Sequence, residues 1–172
     1  MDRRTFMANA AVAALAPQAF AKSGRDLDMA DFPIVDTHVH FWNPARLRYP
    51  WLDNSNLLNK PYLPSDYAQA AAGVNIGQLV FVQAACLPEQ ALDEVAFISE
   101  LAAACPTIAA IVADAPLENG DMARPMLEIL AANKRVRGIR RMLQGETSDF
   151  CLGDGFVQGV KALSDYGLSC DL

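Results

Sequence analysis

From residue 33 onward, hydrophobic positions fall in short continuous runs, separated by longer stretches in which they recur every three or four residues. The runs at 33–38, 78–83, 108–113, 136–141 and 168–172 predict five strands, rich in Val and Ile. The second, Gln78-Leu79-Val80-Phe81-Val82-Gln83, is apolar through its middle, as strands buried on both faces are. Between the runs the period changes. Ser65-Asp66 predicts a capped short helix that ends at Gly73. Over 88–105, Leu92, Val95, Ala96, Ile98, Leu101, Ala102 and Cys105 form one broad helical face, with Glu89, Asp93, Glu94 and Glu100 mostly off it and Pro106 as the stop. Further helices are predicted over 121–133, with Pro125 in the first turn, and from Asp154 to Gly167. Residues 41–63, rich in Asn, Pro and aromatic side chains, predict an irregular loop.

From the second strand on, strand starts recur about every 30 residues, which leaves room for a helix in each connection and implies parallel crossovers. An open doubly wound sheet and a (β/α)8 barrel share this alternation. No glycine-rich phosphate loop follows any strand, which argues against nucleotide binding. Polar residues gather instead at the strand ends: His38 and His40, Gln83, Asp114, Arg140 and Arg141. In a barrel those ends converge on one mouth, so the expected fold is a (β/α)8 TIM barrel, of which this chain holds four β/α units and strand five. Residues 33–172 are read as that N-terminal part, residues 22–32 as a linker, and the chain as truncated inside its last strand.

Composition narrows the function. The 172 residues are 52% hydrophobic and 20% charged, with a formal charge of −6. That excludes a disordered chain and makes nucleic acid and anionic membranes poor partners, leaving a small-molecule substrate. Residues 1–21 carry Arg3-Arg4, a weakly apolar run and the tripeptide Ala19-Phe20-Ala21, the parts of an export signal of twin-arginine type. The apolar run is too short and polar to span a bilayer, so no membrane association is expected after cleavage. The alternative is a cytosolic amphipathic helix; the expected location is the periplasm. Cys86, Cys105, Cys151 and Cys170 read as small buried hydrophobes, with a disulfide as the alternative.

The chain's two histidines, His38 and His40, alternate on the first strand, so both imidazoles project from one face while Val39 points to the other. Such a pair suits one divalent metal, zinc before others, or two hydrogen-bonding groups at a strand end. The segment Asp36-Thr37-His38-Val39-His40-Phe41-Trp42-Asn43-Pro44, with Tyr49-Pro50-Trp51 behind it, resembles the start of the amidohydrolase superfamily, and within it the branch of lactone hydrolases. Val80-Phe81-Val82-Gln83-Ala84 and Val136-Arg137-Gly138-Ile139-Arg140-Arg141 agree in order and spacing.

The resemblance implies a barrel enzyme that hydrolyses a lactone or related cyclic ester or amide of a small carboxylated or sugar-derived compound. Water attacks the carbonyl at the barrel mouth, with His38 and His40 either holding the metal or, in a metal-independent enzyme, polarising the carbonyl by hydrogen bonds. Arg140 suits a substrate carboxylate, which its planar fork grips with two hydrogen bonds, or else it is a solvated end residue. Arg141, of opposite parity, points towards the helices; in the structural alternative the two arginines are a solvated pair at the strand end, one of them bonded to Glu89 or Asp114. Gln83 and Trp42 are further substrate-binding candidates; Tyr49 and Trp51 either wall the pocket or pin the loop. A third metal ligand and a general base are missing, so the chain alone is expected to be inactive. Two other readings stay open: a decarboxylase of the same superfamily, and a non-catalytic periplasmic binder of acidic sugars.

Overall fold

Five strands, β1 (Ile34–Val39), β2 (Ile76–Val82), β3 (Ile108–Ala113), β4 (Val136–Arg140) and β5 (Ser169–Asp171), form one parallel sheet in the order β1-β2-β3-β4-β5. They come from a computed structural model that describes residues 32–172; the leader expected at 1–21 and nearly all of the linker expected at 22–32 lie outside the described residues. Every strand pairs with the one before it in sequence, so the order never reverses. A doubly wound sheet needs such a reversal, and its absence among the described strands leaves the curled half of a singly wound barrel.

Helices α1 (Pro64–Ala70), α2 (Ala91–Ala104), α3 (Arg124–Ala132) and α4 (Asp154–Ala162) fill the four connections. The core lies between these helices and the sheet. Phe81, Ile111 and Ile139 from the strands meet Ile98, Leu127 and Leu130 from the helices, all at most 1% exposed. Burial of each such side chain contributes about 1.5–3 kcal/mol. Leu163–Tyr166 tightens the end of α4 into a 3-10 turn, which Gly167 closes with φ +64, a left-handed conformation an L side chain adopts only under strain. Among the described residues no helix is long and apolar enough to cross a membrane.

The structure differs from the pattern in several places. The strand predicted at 78–83 starts at Ile76 and ends at Val82, so Gln83 lies just beyond it. Asp66 sits in the first turn of α1 and reaches back to accept the Leu63 N–H at 2.8 Å, where Ser65-Asp66 was expected to cap from outside. Glu94, expected off the buried face of its helix, is 1% exposed. The cysteines are not the buried hydrophobes expected. Cys170 is exposed, the other three are half-buried, and all four are free.

The irregular loop is pinned to the sheet. Trp42 and Tyr62 pair as an isolated antiparallel bridge, with N–H···O distances of 3.1 and 2.9 Å, and their rings lie 4.6 Å apart. Tyr49 is 1% exposed and belongs to the core, whereas Trp51 is 42% exposed and donates its indole N–H to the Ala84 carbonyl at 2.8 Å.

On the other flank, the 3-10 segment Leu117–Ala123 is seated directly on α4. A Cβ on Gly155 would stand 2.2 Å from the Glu118 carbonyl oxygen, and one on Gly159 would stand 2.0 Å from that of Leu117. Only glycine permits this approach of backbone to helix.

Candidate active site

The carboxyl ends of β1, β2 and β4 enclose a cavity of about 370 Å³, lined by His40, Trp42, Trp51, Gln83, Ala84, Ala85, Arg140 and Met142. Four of the five residues expected at the site, His40, Trp42, Gln83 and Arg140, are thus brought together from three strand ends and the loop. His38 is not among the lining residues. It is exposed, with its ring centroid 5.0 Å from that of His40 and the planes at 79°.

His40 is oriented by the neighbouring strand. Its Nδ1 lies 2.8 Å from the Val82 carbonyl oxygen, which can only accept, so Nδ1 carries the proton and Nε2 keeps a free lone pair. Burial lowers the pKa of His40, and the nearby His38 and Arg140 lower it further, so the imidazole is neutral at neutral pH. A neutral ring in this tautomer has no donor left at Nε2. This removes the carbonyl-polarising donor role from His40 and leaves that of a proton acceptor or a cation ligand.

Gln83 is 2% exposed, and its Oε1 accepts the N–H of Ala85 at 2.5 Å. That bond consumes the acceptor end of the amide and turns the NH2 end to the cavity. The turn that follows is held from three sides. Ala84 donates its N–H to Glu94 at 3.1 Å and accepts from Trp51, while Ala85 adopts φ +55, a left-handed conformation unusual for alanine.

Arg140 and Arg141 diverge as their parity predicts. Among the described residues no carboxylate pairs with Arg140, and its Nε is buried without a partner. Arg141 forks onto Glu118 with two bonds of 2.9 Å, reaches Glu146 at 2.7 Å and lies 5.0 Å from the centre of the Phe150 ring. Its partners are therefore Glu118 and Glu146, not Glu89 or Asp114.

Behind the β2 turn lie three ionisable groups, Glu94, Asp114 and Cys86, that the sequence reading did not bring together. Burial raises Glu94 to about 7, against the pull of the Ala84 N–H, with Asp114 adding to the rise. Burial also lifts Asp114 to about 6, partly offset by Arg141. Cys86, beside both, is pushed up by burial and by the two carboxyls. A signal for Glu94 was present: it stands four residues before Ile98, on the same stripe of the helix.

The described residues include no cluster of three or more His, Cys, Asp or Glu able to hold a metal ion. His38 and His40 fit two positions of a divalent cation's shell, one short of the three protein ligands of a catalytic zinc.

No protein-family model matches the chain. It is 30% identical over 133 residues to an L-fucono-1,5-lactonase of Burkholderia multivorans, an alignment that covers 72% of this chain and 43% of that protein. An amidohydrolase from Burkholderia multivorans solved with bound zinc superposes with a TM-score of 0.64 at 29% identity, over 82% of this chain and 49% of that one. A probable 2-pyrone-4,6-dicarboxylic acid hydrolase from Acinetobacter baumannii shares the fold, with a TM-score of 0.58 at 10% identity, over 81% of this chain and 48% of that one. The chain spans about half the length of each of these relatives.

Proposed function

Because this chain belongs to the amidohydrolase superfamily and is homologous to its lactone-hydrolase branch, we propose that it carries the first five strands of an active site that opens a carboxylated lactone by hydrolysis. The observation that carries the substrate class is Arg140. A guanidinium in a largely apolar cavity, with a buried Nε that has no partner and no opposing carboxylate among the described residues, matches an anionic group supplied by the ligand.

In this reading Arg140 grips the carboxylate and Trp42 and Trp51 flank the ring. The NH2 of Gln83 donates to a ring or carbonyl oxygen, its direction set by the bond from Ala85. The Nε2 of His40 accepts, either from a proton or as one ligand of a divalent cation shared with His38. Such a cation supplies Lewis-acid polarisation of the carbonyl and a more acidic water. The zinc in the Burkholderia multivorans amidohydrolase supports that choice over a metal-independent mechanism. A third ligand and a general base are not provided by the described residues, so this chain by itself binds the substrate without turning it over. Export to the periplasm belongs to the same proposal, supported by the order of cationic, apolar and small residues at 1–21.

Both tryptophans of the chain line the cavity, so intrinsic fluorescence reports on it directly. Titration with paraconate, a γ-lactone bearing one carboxylate, is expected to give a saturable change. γ-Butyrolactone, its neutral parent, is expected to bind at least about ten-fold more weakly, and Arg140→Met to remove the preference. Equal binding of the two lactones would overturn the assignment.

A further inference from the structure

Where β2 leaves the sheet, a single peptide unit holds two walls of the cavity in place. Its carbonyl, that of Ala84, accepts the indole N–H of Trp51 at 2.8 Å, and its N–H, that of Ala85, donates to the Oε1 of Gln83 at 2.5 Å. Trp51, Gln83, Ala84 and Ala85 make up half of the residues lining the cavity of His40 and Arg140. The unit is anchored from behind. Ala84 donates its own N–H to Glu94, in the first turn of α2, at 3.1 Å. The loop that carries Trp51 is sewn to the same connection by Leu87, which donates to the Arg48 carbonyl at 2.9 Å, and by Gln90, which accepts the Arg48 N–H at 2.8 Å.

Ala85 sits at φ +55, a conformation that persists only where its surroundings impose it. The bond to Glu94 is the part imposed by α2. The titratable groups that face Glu94 are Cys86 from the turn, Asp114 just past β3 and Tyr49 from the loop, whose buried hydroxyl has no partner among the described residues. No cation is among them. Arg141 acts on Asp114 and is itself bonded to Glu118 and Glu146. Selection for stability alone would place an apolar or neutral side chain here. What the carboxyl supplies is an acceptor for the Ala84 N–H, in a bond that strengthens about two-fold on ionisation and polarises the bonds beyond it.

We propose that Glu94 is a positioning residue of the active site, which through the peptide unit of Ala84 and Ala85 sets the Trp51 indole and the Gln83 amide. The charge of its carboxyl is then read at the cavity wall, although Glu94 touches no ligand. The inference rests on the reading of this cavity as the substrate site and adds a control exerted from behind its wall.

The test is nitrogen–proton correlation NMR of the 172-residue chain, whose two tryptophans give two indole signals, assigned with Trp42→Phe. From about pH 5 to about pH 9 the Trp51 signal is expected to move with an inflection near 7, where Glu94 titrates, and Glu94→Gln to abolish that inflection. The Trp42 indole, bonded instead to the Leu58 carbonyl, is the reference and should be indifferent to the substitution. At pH 8, Glu94→Ala is expected to shift the Trp51 signal upfield, the direction of a lost hydrogen bond, and to weaken paraconate binding about ten-fold. Glu94→Gln, which keeps the acceptor, should stay within about two-fold of the unmodified chain. Should circular dichroism show Glu94→Ala unfolded, the pH comparison with Glu94→Gln decides alone. The same pH course of the Trp51 signal in both chains would overturn the inference, as would unaltered paraconate affinity in folded Glu94→Ala. In either case, paraconate binding that Arg140→Met abolishes keeps the carboxylate reading. A Trp51 signal that follows Glu94 in a chain that binds no paraconate would overturn that reading and leave Glu94 setting the wall.

Discussion

Arg140 and Arg141 are covalent neighbours with opposite surroundings. Arg140 enters a mostly apolar cavity and leaves a buried donor unpaired, whereas Arg141, its side chain 17% exposed, meets two carboxylates and an aromatic face. The first guanidinium is left partly unsatisfied; the second is bonded on both sides by carboxylates. An orphaned buried donor costs about 1–3 kcal/mol, so its persistence marks the inner side as the one shaped for a ligand. The paired arginine shows what the same residue type looks like when its task is to hold the structure together.

The contrast is broken most severely at the platform under the outer side. Gly159→Ala places a methyl group against the Leu117 backbone, which cannot retreat as a flexible side chain would. We expect a loss of more than about 3 kcal/mol, read by urea unfolding.

Glu94 gives the next largest effect, with a definite sign in pH. Its folded pKa, about 7, lies above the ordinary carboxylate value, so its contribution to stability is full below about pH 4 and lost as pH rises through 7. Glu94→Gln never ionises. The variant and the unmodified chain should match near pH 4 and diverge to about 2–3 kcal/mol in favour of the variant by pH 8, in urea titrations at the two pH values. Equal stabilities at pH 8 would show that Glu94 is ionised there without penalty.

The finest test sets the two arginines side by side. Arg141→Met leaves Glu118 and Glu146 without their cation and should cost about 2 kcal/mol, a figure reduced by their partial exposure. Burial pushes the Glu118 carboxyl up, but the bonds to Arg141, a backbone N–H and the Arg141 charge together pull it below its ordinary value. That contribution is present above the unfolded value, is lost as pH falls through the folded one, and vanishes in the variant. Arg140→Met removes the orphaned donor and should leave stability unchanged or raise it by under about 1 kcal/mol, while paraconate binding is lost. Comparable destabilisation by both would erase the distinction between the two sides.

Much of this was legible in the sequence because strands and helices announce themselves by period, and because strand ends define a mouth before any coordinates exist. His40, Gln83 and Arg140 were found that way, Trp42 from the aromatic loop, and the four share one cavity. His38 was found by the same alternation, yet its exposed ring is not among the lining residues, because parity fixes a side of the strand and not the reach of a cavity. Glu94 was missed because a carboxylate on a helix is ordinarily solvated. What partners it in the buried position is the Ala84 N–H, a backbone donor in a turn that no residue pattern locates. The partners of Arg141 lie 23 and 5 residues away on segments of irregular backbone, where periodicity carries no information.

The unbroken strand order has a kinetic meaning as well. Each of the four strands after β1 needs only its predecessor for pairing, so every addition closes a loop about one β/α unit long. A chain built this way can lay down its sheet in the order in which it is synthesised, β1 serving as the template for β2 and so on. The mouth is then assembled by accretion: His40 is oriented when the Val82 carbonyl arrives beside it, and Arg140 joins walls from β1, β2 and the loop, with Met142 following it.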